Sequence, residues 1–329
     1  MATTLAIDIG GTKIAAALVD EKGQLSHRRQ AMTLAAEGAE AILGRVVMLA
    51  RAVLADAGGA AADMLVGVGT GGQVDPESGR IIFATPLLPG WTGLPLRARL
   101  AQALGLPVAV ANDVHVMGLG EATRGAGRGC RYLLCLAVGT GIGGAVLLDC
   151  ELYQGAAGAA AGLGHVSIDA IAGRRCNCGG VGCVEMYAAG PAIAADWVAA
   201  VGAEAAQRYL AKPPAQIAVQ DLAALLARGG PGAETARRAL DQAGRYLGYA
   251  VTSLLHALNP ERVVVGGGVA QVGEAFFAGI RAAVQERALP SVRQTPIVPA
   301  ALGTDAALIG AAELARRRYG GRGAIHPAS

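Results

Sequence analysis

The chain is 329 residues long, 53% hydrophobic and 16% charged, with a formal net charge of +3; that length suits two domains, and so apolar a composition excludes a disordered protein. A small charge without a long Lys/Arg block leaves no nucleic-acid footprint, and no apolar run is long enough to span a bilayer. Aromatic residues make up 4% of the chain against 49 glycines, so an aliphatic core and many tight turns are expected.

The opening MATTLAIDIGG runs straight into a predicted strand at 4–9 and carries no export signal, so a cytoplasmic protein is expected. Gly10-Gly11-Thr12 then turns the chain into a second strand at 14–19. A turn at 20–23 leads to a third at 24–31, an antiparallel meander. Helical spacing covers 37–57, followed by a buried strand at 65–69, a helix at 94–104, a strand at 108–111 and a helix at 114–123. The opening unit then recurs: strand 133–138, the glycine turn 139–144 and strand 145–148. Two such units imply a duplicated α/β architecture. Further on, helices are predicted at 191–201, 219–227 and 233–258, and a strand at 261–265 enters Gly266-Gly267-Gly268. A last helix at 304–318 starts from a Thr304 or Asp305 cap, and the tail from 320 is expected to fray.

Asp8-Ile9-Gly10-Gly11-Thr12-Lys13 is a phosphate-loop candidate without the Walker A helix start. Its glycines leave backbone N–H groups open to an anion, Thr12 adds a hydroxyl, Lys13 a positive charge, and Asp8 a carboxylate able to hold Mg²⁺. Alone, such a loop is more often a structural hairpin. A second glycine turn, with Gly139, Thr140, Gly141 and Gly143, allows a triphosphate to be held from both sides. Gly266, Gly267 and Gly268 offer a third close approach suited to a flat base. Asn112-Asp113 ends a strand before a helix, where α/β proteins place ligands. Asp113 there is either a general base for a hydroxyl or part of a helix cap.

His165, Cys176, Cys178 and Cys183 fall within residues 165–183, and Cys₃His is a standard structural zinc set. The intervening glycines let the loop fold tightly enough to converge on one ion. Cys130, Cys135 and Cys150 sit in apolar surroundings and read as ordinary core cysteines. Without an export signal a disulfide is not expected.

DIGGTK, AND before a helix, VGTGIGG, and GH…CxCGxxGCxE followed by YAAGPAI together resemble the ROK sugar kinases, from Leu5 to about Ala312. The zinc segment is the most specific part; the glycine turns are shared across the actin/hexokinase superfamily. The resemblance implies an α/β, actin/hexokinase-like (ribonuclease H-like) two-lobed fold with a zinc loop, closing on a sugar with ATP between the lobes. The small lobe is expected at 1–115, completed by the helix 304–319, and the large lobe at 116–303, with hinges near 112–118 and 303–305. With the loop starting at Asp8, the N-terminal winged helix of ROK repressors is not expected.

By the same resemblance Asp113 is the catalytic base, and Asn112, Gly71, His165 and Glu185 contact sugar. His165 also ligates zinc, which fixes the loop presenting His165 and Glu185. The cofactors implied are ATP, Mg²⁺ and Zn²⁺, and a homodimer or homotetramer is expected. Two departures bear on the substrate. Gly162 replaces the Glu of the family's G-E-I/L-G-H, and Leu87 the Asn before Leu88-Pro89-Gly90-Trp91. Both remove polar contacts to sugar and leave the phosphoryl-transfer residues in place. The expected activity is phosphorylation of a hexose at O6, glucose by default, with N-acetylmannosamine or N-acetylglucosamine next. A sugar-binding sensor without catalysis is the rival.

Overall fold

The computed structural model describes residues 3–61 and 63–320; the tail beyond 320, expected to fray, lies outside the described residues. β1 (Thr4–Ile9), β2 (Lys13–Val19) and β3 (Leu25–Met32) form the expected antiparallel meander. α1 (Ala39–Asp56), β4 (Leu65–Thr70), a small hairpin of β5 (Gln73–Val74) and β6 (Ile81–Phe83), α2 (Leu96–Leu104), β7 (Val108–Asn112) and α3 (Asp113–Arg124) follow. β4 and β7 add to β1 in parallel, so the first sheet runs β3-β2-β1-β4-β7.

The second half repeats the scheme. β8 (Leu133–Val138), β9 (Ile142–Leu148) and β10 (Glu151–Leu152) come first, then α4 (Glu185–Ala188), α5 (Gly190–Val201), α6 (Ala203–Leu210), α7 (Val219–Arg228) and α8 (Ala233–Leu258). β11 (Arg262–Gly266), α9 (Glu274–Arg287), β12 (Ile297–Pro299) and α10 (Ala306–Tyr319) close the chain. The second sheet runs β10-β9-β8-β11-β12, the same pattern as the first. That is the duplication the paired glycine turns implied.

One local expectation is corrected. Gly143 and Gly144 belong to β9 instead of the preceding turn, because Glu185 accepts the Ile142 amide at 2.7 Å and fixes the strand start there. Asp305 does hold the N-cap position of the last helix, as expected, but without a side-chain cap bond. Asp305 accepts a hydrogen bond from Arg28 at 2.5 Å, and a short 3-10 turn, Gly303–Asp305, leads into α10.

The chain divides into two compact units. The described residues of Met1–Leu133, Ala145–Ala161 and Ala301–Ser329 form one; Leu134–Gly144 and Gly162–Ala300 form the other. In the first unit the strand period of two separates the faces of β1. Leu5, Ile7 and Ile9 enter a core with Ile42, Val46 and Val53 of α1 and the fully buried Trp91. Ala6 joins a second cluster with Val116 of α3 and Leu308, Ala311 and Ala312 of α10.

This second cluster is small-chained because backbones touch. A Cβ on Gly67 would lie 1.8 Å from the Ala311 carbonyl oxygen, and one on Gly310 1.6 Å from that of Val116. In the second unit Gly244 and Gly279 play the same part between α8 and α9: a Cβ on either would lie 2.1 Å from a facing carbonyl oxygen. Such contacts leave no slack for an added methyl group. No helix among the described residues is long and apolar enough to cross a membrane.

Candidate functional site

The first glycine turn is closed by the Gly10 amide on the Lys13 carbonyl at 3.0 Å. Buried Thr33 braces it, its hydroxyl donating to Gly10 O at 2.6 Å and its amide to Thr12 O at 2.8 Å. Gly11, Thr12 and Lys13 are exposed. Leu87, itself 65% exposed, lies beside Gly11, where a Cβ would come 3.5 Å from its own.

Asp8 pairs in register with Gly69, and Gly69 with Ala111, at the C-terminal ends of parallel β1, β4 and β7. Asp113 opens α3 just past β7. A Cβ on Gly69 would lie 2.5 Å from Val116 Cγ2, so glycine there makes room for α3; Asp113 Cα and Asp8 Oδ1 flank the same point at 3.6 and 3.7 Å. Burial, then the charge of Asp113, pushes Asp8 up to about 7, against the pull of Lys13 and Arg28. Burial also raises Asp113, opposed by the Val114 amide that it accepts at 2.9 Å.

Asn112 and Asp113 both accept an amide at the start of α3. Asn112 Oδ1 accepts the Val114 and His115 amides at 2.9 and 3.3 Å and so caps α3. Its Nδ2 donates to Gly72 O at 2.9 Å, which holds the turn after β4. Gly71, in that turn, donates its amide to Ile9 O at 3.2 Å.

In the second unit, the Gly139 amide donates to Gly141 O and the Gly190 amide to Gly139 O, both at 2.8 Å. A Cβ on Gly141 would lie 2.6 Å from Glu185 Oε2, the oxygen already holding the Ile142 amide. Glu185 thus shapes this turn from the start of α4, two residues after Cys183. Thr140 is exposed and Gly143 sits within β9. Gly266 ends β11. Gly267, with φ of +88° and a Cβ position 2.3 Å from Val138 O, tolerates only glycine. Gly268 follows beside Gln220, and the Val269 amide donates to Val138 O at 3.0 Å. These contacts bring the second glycine turn and the triple glycine together.

His165, Cys176, Cys178 and Cys183 converge, their donor atoms all within 4.8 Å of one another. His165 Nδ1 is 3.7 Å from Cys176 Sγ, and Cys178 Sγ 3.6 Å from Cys183 Sγ. A tetrahedron with Zn–S bonds of about 2.3 Å has S···S edges of about 3.8 Å, so the donor set fits zinc. The Cys176 amide donates to Gly180 O, and the Gly179 amide to Cys176 O, both at 3.0 Å. The Gly180 amide lowers the Cys178 thiol pKa, helped by Cys176 and Cys183. Burial, with Cys178 and Cys176 beside it, pushes Cys183 up to about 12. Cys130, Cys135 and Cys150 lie outside the cluster.

Residues 4–318 match the model of the ROK family. The chain belongs to the ROK family. It is 34% identical over 326 residues to the glucokinase of Thermotoga maritima, covering 96% of this chain and 98% of that one. It is 32% identical over 315 residues to the N-acetylmannosamine kinase of Salmonella gallinarum, covering 95% and 98%. Among solved structures it is similar to a ROK family glucokinase from Streptomyces griseus in complex with glucose and AMPPNP. There the TM-score is 0.82 at 31% identity, over 96% of this chain and 99% of that one. Its two-sheet α/β fold is the actin/hexokinase-like fold of ROK proteins.

Two features of this ROK chain were not apparent from its residue pattern. Thr33 braces the phosphate loop from a position with no motif around it. Arg174 anchors the cysteine loop: it donates to Asp196 at 2.8 Å and to Met186 O at 2.9 Å, and stacks 4.7 Å over the Tyr187 ring. Gly162, in place of the family Glu, is exposed with φ of −68°. A Cβ there would meet only His165 Cδ2, at 3.9 Å.

Proposed function

We propose that this ROK protein is an ATP-dependent kinase that phosphorylates the 6-hydroxyl of a hexose, with glucose as the first substrate. The observation that carries the reading is the approach of Asp8 and Asp113 across Gly69 at the strand ends, beside an open glycine turn. Asn112 caps α3, and Asp113, whose Oδ1 accepts the Val114 amide, keeps its other oxygen for a hydroxyl. Asp113 removes the proton from O6 as that oxygen attacks the γ-phosphorus; the bond to ADP breaks and the proton passes to solvent. Asn112, Gly71, His165 and Glu185 hold the sugar. The turn of Gly10, Gly11, Thr12 and Lys13, with Gly139, Thr140, Gly141 and Gly143, takes the phosphates. Gly266, Gly267 and Gly268 accommodate the base.

Asp8, whose proton affinity is raised by burial and by a second acid, suits Mg²⁺, directly or through water. When bound, Mg²⁺ supplies charge neutralisation at the transferred phosphoryl group. Zn²⁺ on His165, Cys176, Cys178 and Cys183 would hold the loop that carries His165 and Glu185. The resemblance also supports a cytoplasmic homodimer or homotetramer.

The open space at Gly162 favours a second reading, a kinase for N-acetylmannosamine or N-acetylglucosamine, whose acyl group has room there. A panel of sugars with ATP or polyphosphate as donor tests both readings. Sugar-dependent ADP release with a 6-phosphate product, largest for glucose, is expected. Sugar binding without any phosphoryl transfer would identify a sensor and overturn the proposal.

A further inference from the structure

Glu121 is a fully buried carboxylate on the helix that Asp113 opens, and every hydrogen bond that its oxygens accept comes from backbone. Oε2 accepts the Ala126 amide at 2.8 Å and the Ala301 amide at 3.1 Å; Oε1 accepts the Leu302 amide at 2.9 Å. The Glu121 carbonyl also receives the Gly125 and Gly127 amides, at 3.1 and 2.9 Å. A Cβ on Gly125 would lie 2.1 Å from Oε2, so that glycine is what lets the carboxylate in. Hydrogen bonds to a buried charge are stronger than neutral ones, and losing their acceptor strands the donors.

The place of the grip is what gives it meaning. The chain passes from the second unit to the first between Ala300 and Ala301. The Ala300 amide donates to Val265 O at 2.9 Å, within the second unit. The next two amides belong to Glu121. The freedom of the connector is thereby confined to the torsions between two consecutive residues. α3 holds another crossing in the same manner: His115 Nε2 hydrogen-bonds to Ala160 O at 3.2 Å, and the chain leaves the first unit after Ala161.

We propose that Glu121 is a positioning residue that fastens the 300/301 connector to α3, so that the connector pivots while Asp113, on the same helix, stays in place. The effect on turnover rests on the kinase reading above; the anchoring itself does not. α3 is a continuous helix from Asp113 to Arg124, and its Gly120 packs on α10, where a Cβ would lie 2.2 Å from Ala306 O. The base and the anchor therefore move as one body.

The test compares Glu121→Gln with Thr123→Ala in the full chain. Gln keeps the shape but turns an NH₂ group toward at least one backbone donor. Thr123 bonds only within α3, to Leu119 O at 2.8 Å and Gly120 O at 3.1 Å, and its variant controls for general loss of helix stability. Hydrogen exchange without ligands is expected to speed up about tenfold or more at Ala301 and Leu302 in Glu121→Gln, with α10 beyond Ala306 unchanged. The kcat should fall by about tenfold, with both KM values held within about threefold. Thr123→Ala should do neither. Unchanged exchange at 301–302, exchange raised uniformly along α3 and α10, or an equal loss of kcat in both variants would overturn the proposal. If the wild type phosphorylates no sugar, the kinase reading fails, and the exchange measurement alone decides for or against the anchor.

Discussion

Asp8 and Asp113 flank Gly69: the position of a Cβ there, which Val116 Cγ2 closes off at 2.5 Å, stands 3.7 Å from Asp8 Oδ1 and 3.6 Å from the Asp113 Cα. Neither burial nor a like charge stabilises such an arrangement, and both raise the proton affinity of Asp8.

That relationship predicts an unusual pH dependence of stability. Asp8 moves from an ordinary 3.8 to about 7, so between those values the folded state keeps a proton that the unfolded chain has lost. Its stabilising contribution is full below about pH 4 and is lost as pH rises through 7. Asp113, also raised, acts in the same direction. His115 is lowered by burial and acts oppositely, losing stability as pH falls below its ordinary 6.5. In Mg²⁺-free buffer, calorimetry should therefore show Asp8→Asn gaining Tm over the wild type at pH 8, and gaining less or nothing at pH 4. An equal difference at both values would contradict the raised proton affinity.

Asp113→Asn should remove most turnover while the fold persists. General-base catalysis contributes about 10²–10⁴-fold, and kcat is expected to fall by that order. Asn112 still caps α3 in the variant, so the melting temperature should hold or rise, and ATP binding by calorimetry should be preserved. A variant with near wild-type kcat on the preferred sugar would reduce Asp113 to a helix-terminal residue.

The cysteine cluster should bring down one zinc per chain, measured by atomic emission on purified protein. Cys178→Ser removes an exposed ligand from a set whose other cysteines are buried, so the loop can lose the ion without opening the core. Metal content should drop to trace levels, and hydrogen exchange should rise through the segment around Gly179–Gly182. Removing zinc loosens the loop that carries His165, and sugar KM should rise. Full zinc in Cys178→Ser would refute the ligand set.

The glycine turns, the strands around them and the cysteine loop were legible because each depends on short-range chemistry: turn residues, ligand spacing, alternation. Asp113 reads as base or cap from the sequence; in the structure Asn112 accepts the Val114 and His115 amides, and Asp113 the Val114 amide. What sequence could not reveal depends on long-range partners. Thr33, Glu121 and Arg174 reach backbone groups whose positions the fold alone sets. α9 is likewise positioned by a long-range contact: Gly279 seats it against Asp241 O, where a Cβ would come within 2.1 Å.

Gly162→Glu provides the sharpest test of substrate choice. The glycine is exposed, has an ordinary φ of −68°, and a Cβ would meet nothing nearer than His165 Cδ2 at 3.9 Å. A glutamate is therefore admissible without backbone strain. Charge-assisted hydrogen bonds to sugar hydroxyls are worth about 1.5–3 kcal/mol, or about one to two orders of magnitude in KM where KM reflects binding. The wild type should then hold glucose weakly, and Gly162→Glu should lower its KM for glucose by about tenfold or more. The same variant should lose activity on N-acetylated hexoses, because the new side chain occupies the space left for the acyl group. Steady-state kinetics on both sugars measures the crossing of the two trends. A wild-type KM for glucose already in the micromolar range, made worse by the substitution, would show that another residue holds those hydroxyls and that the space beside Gly162 does not select the substrate.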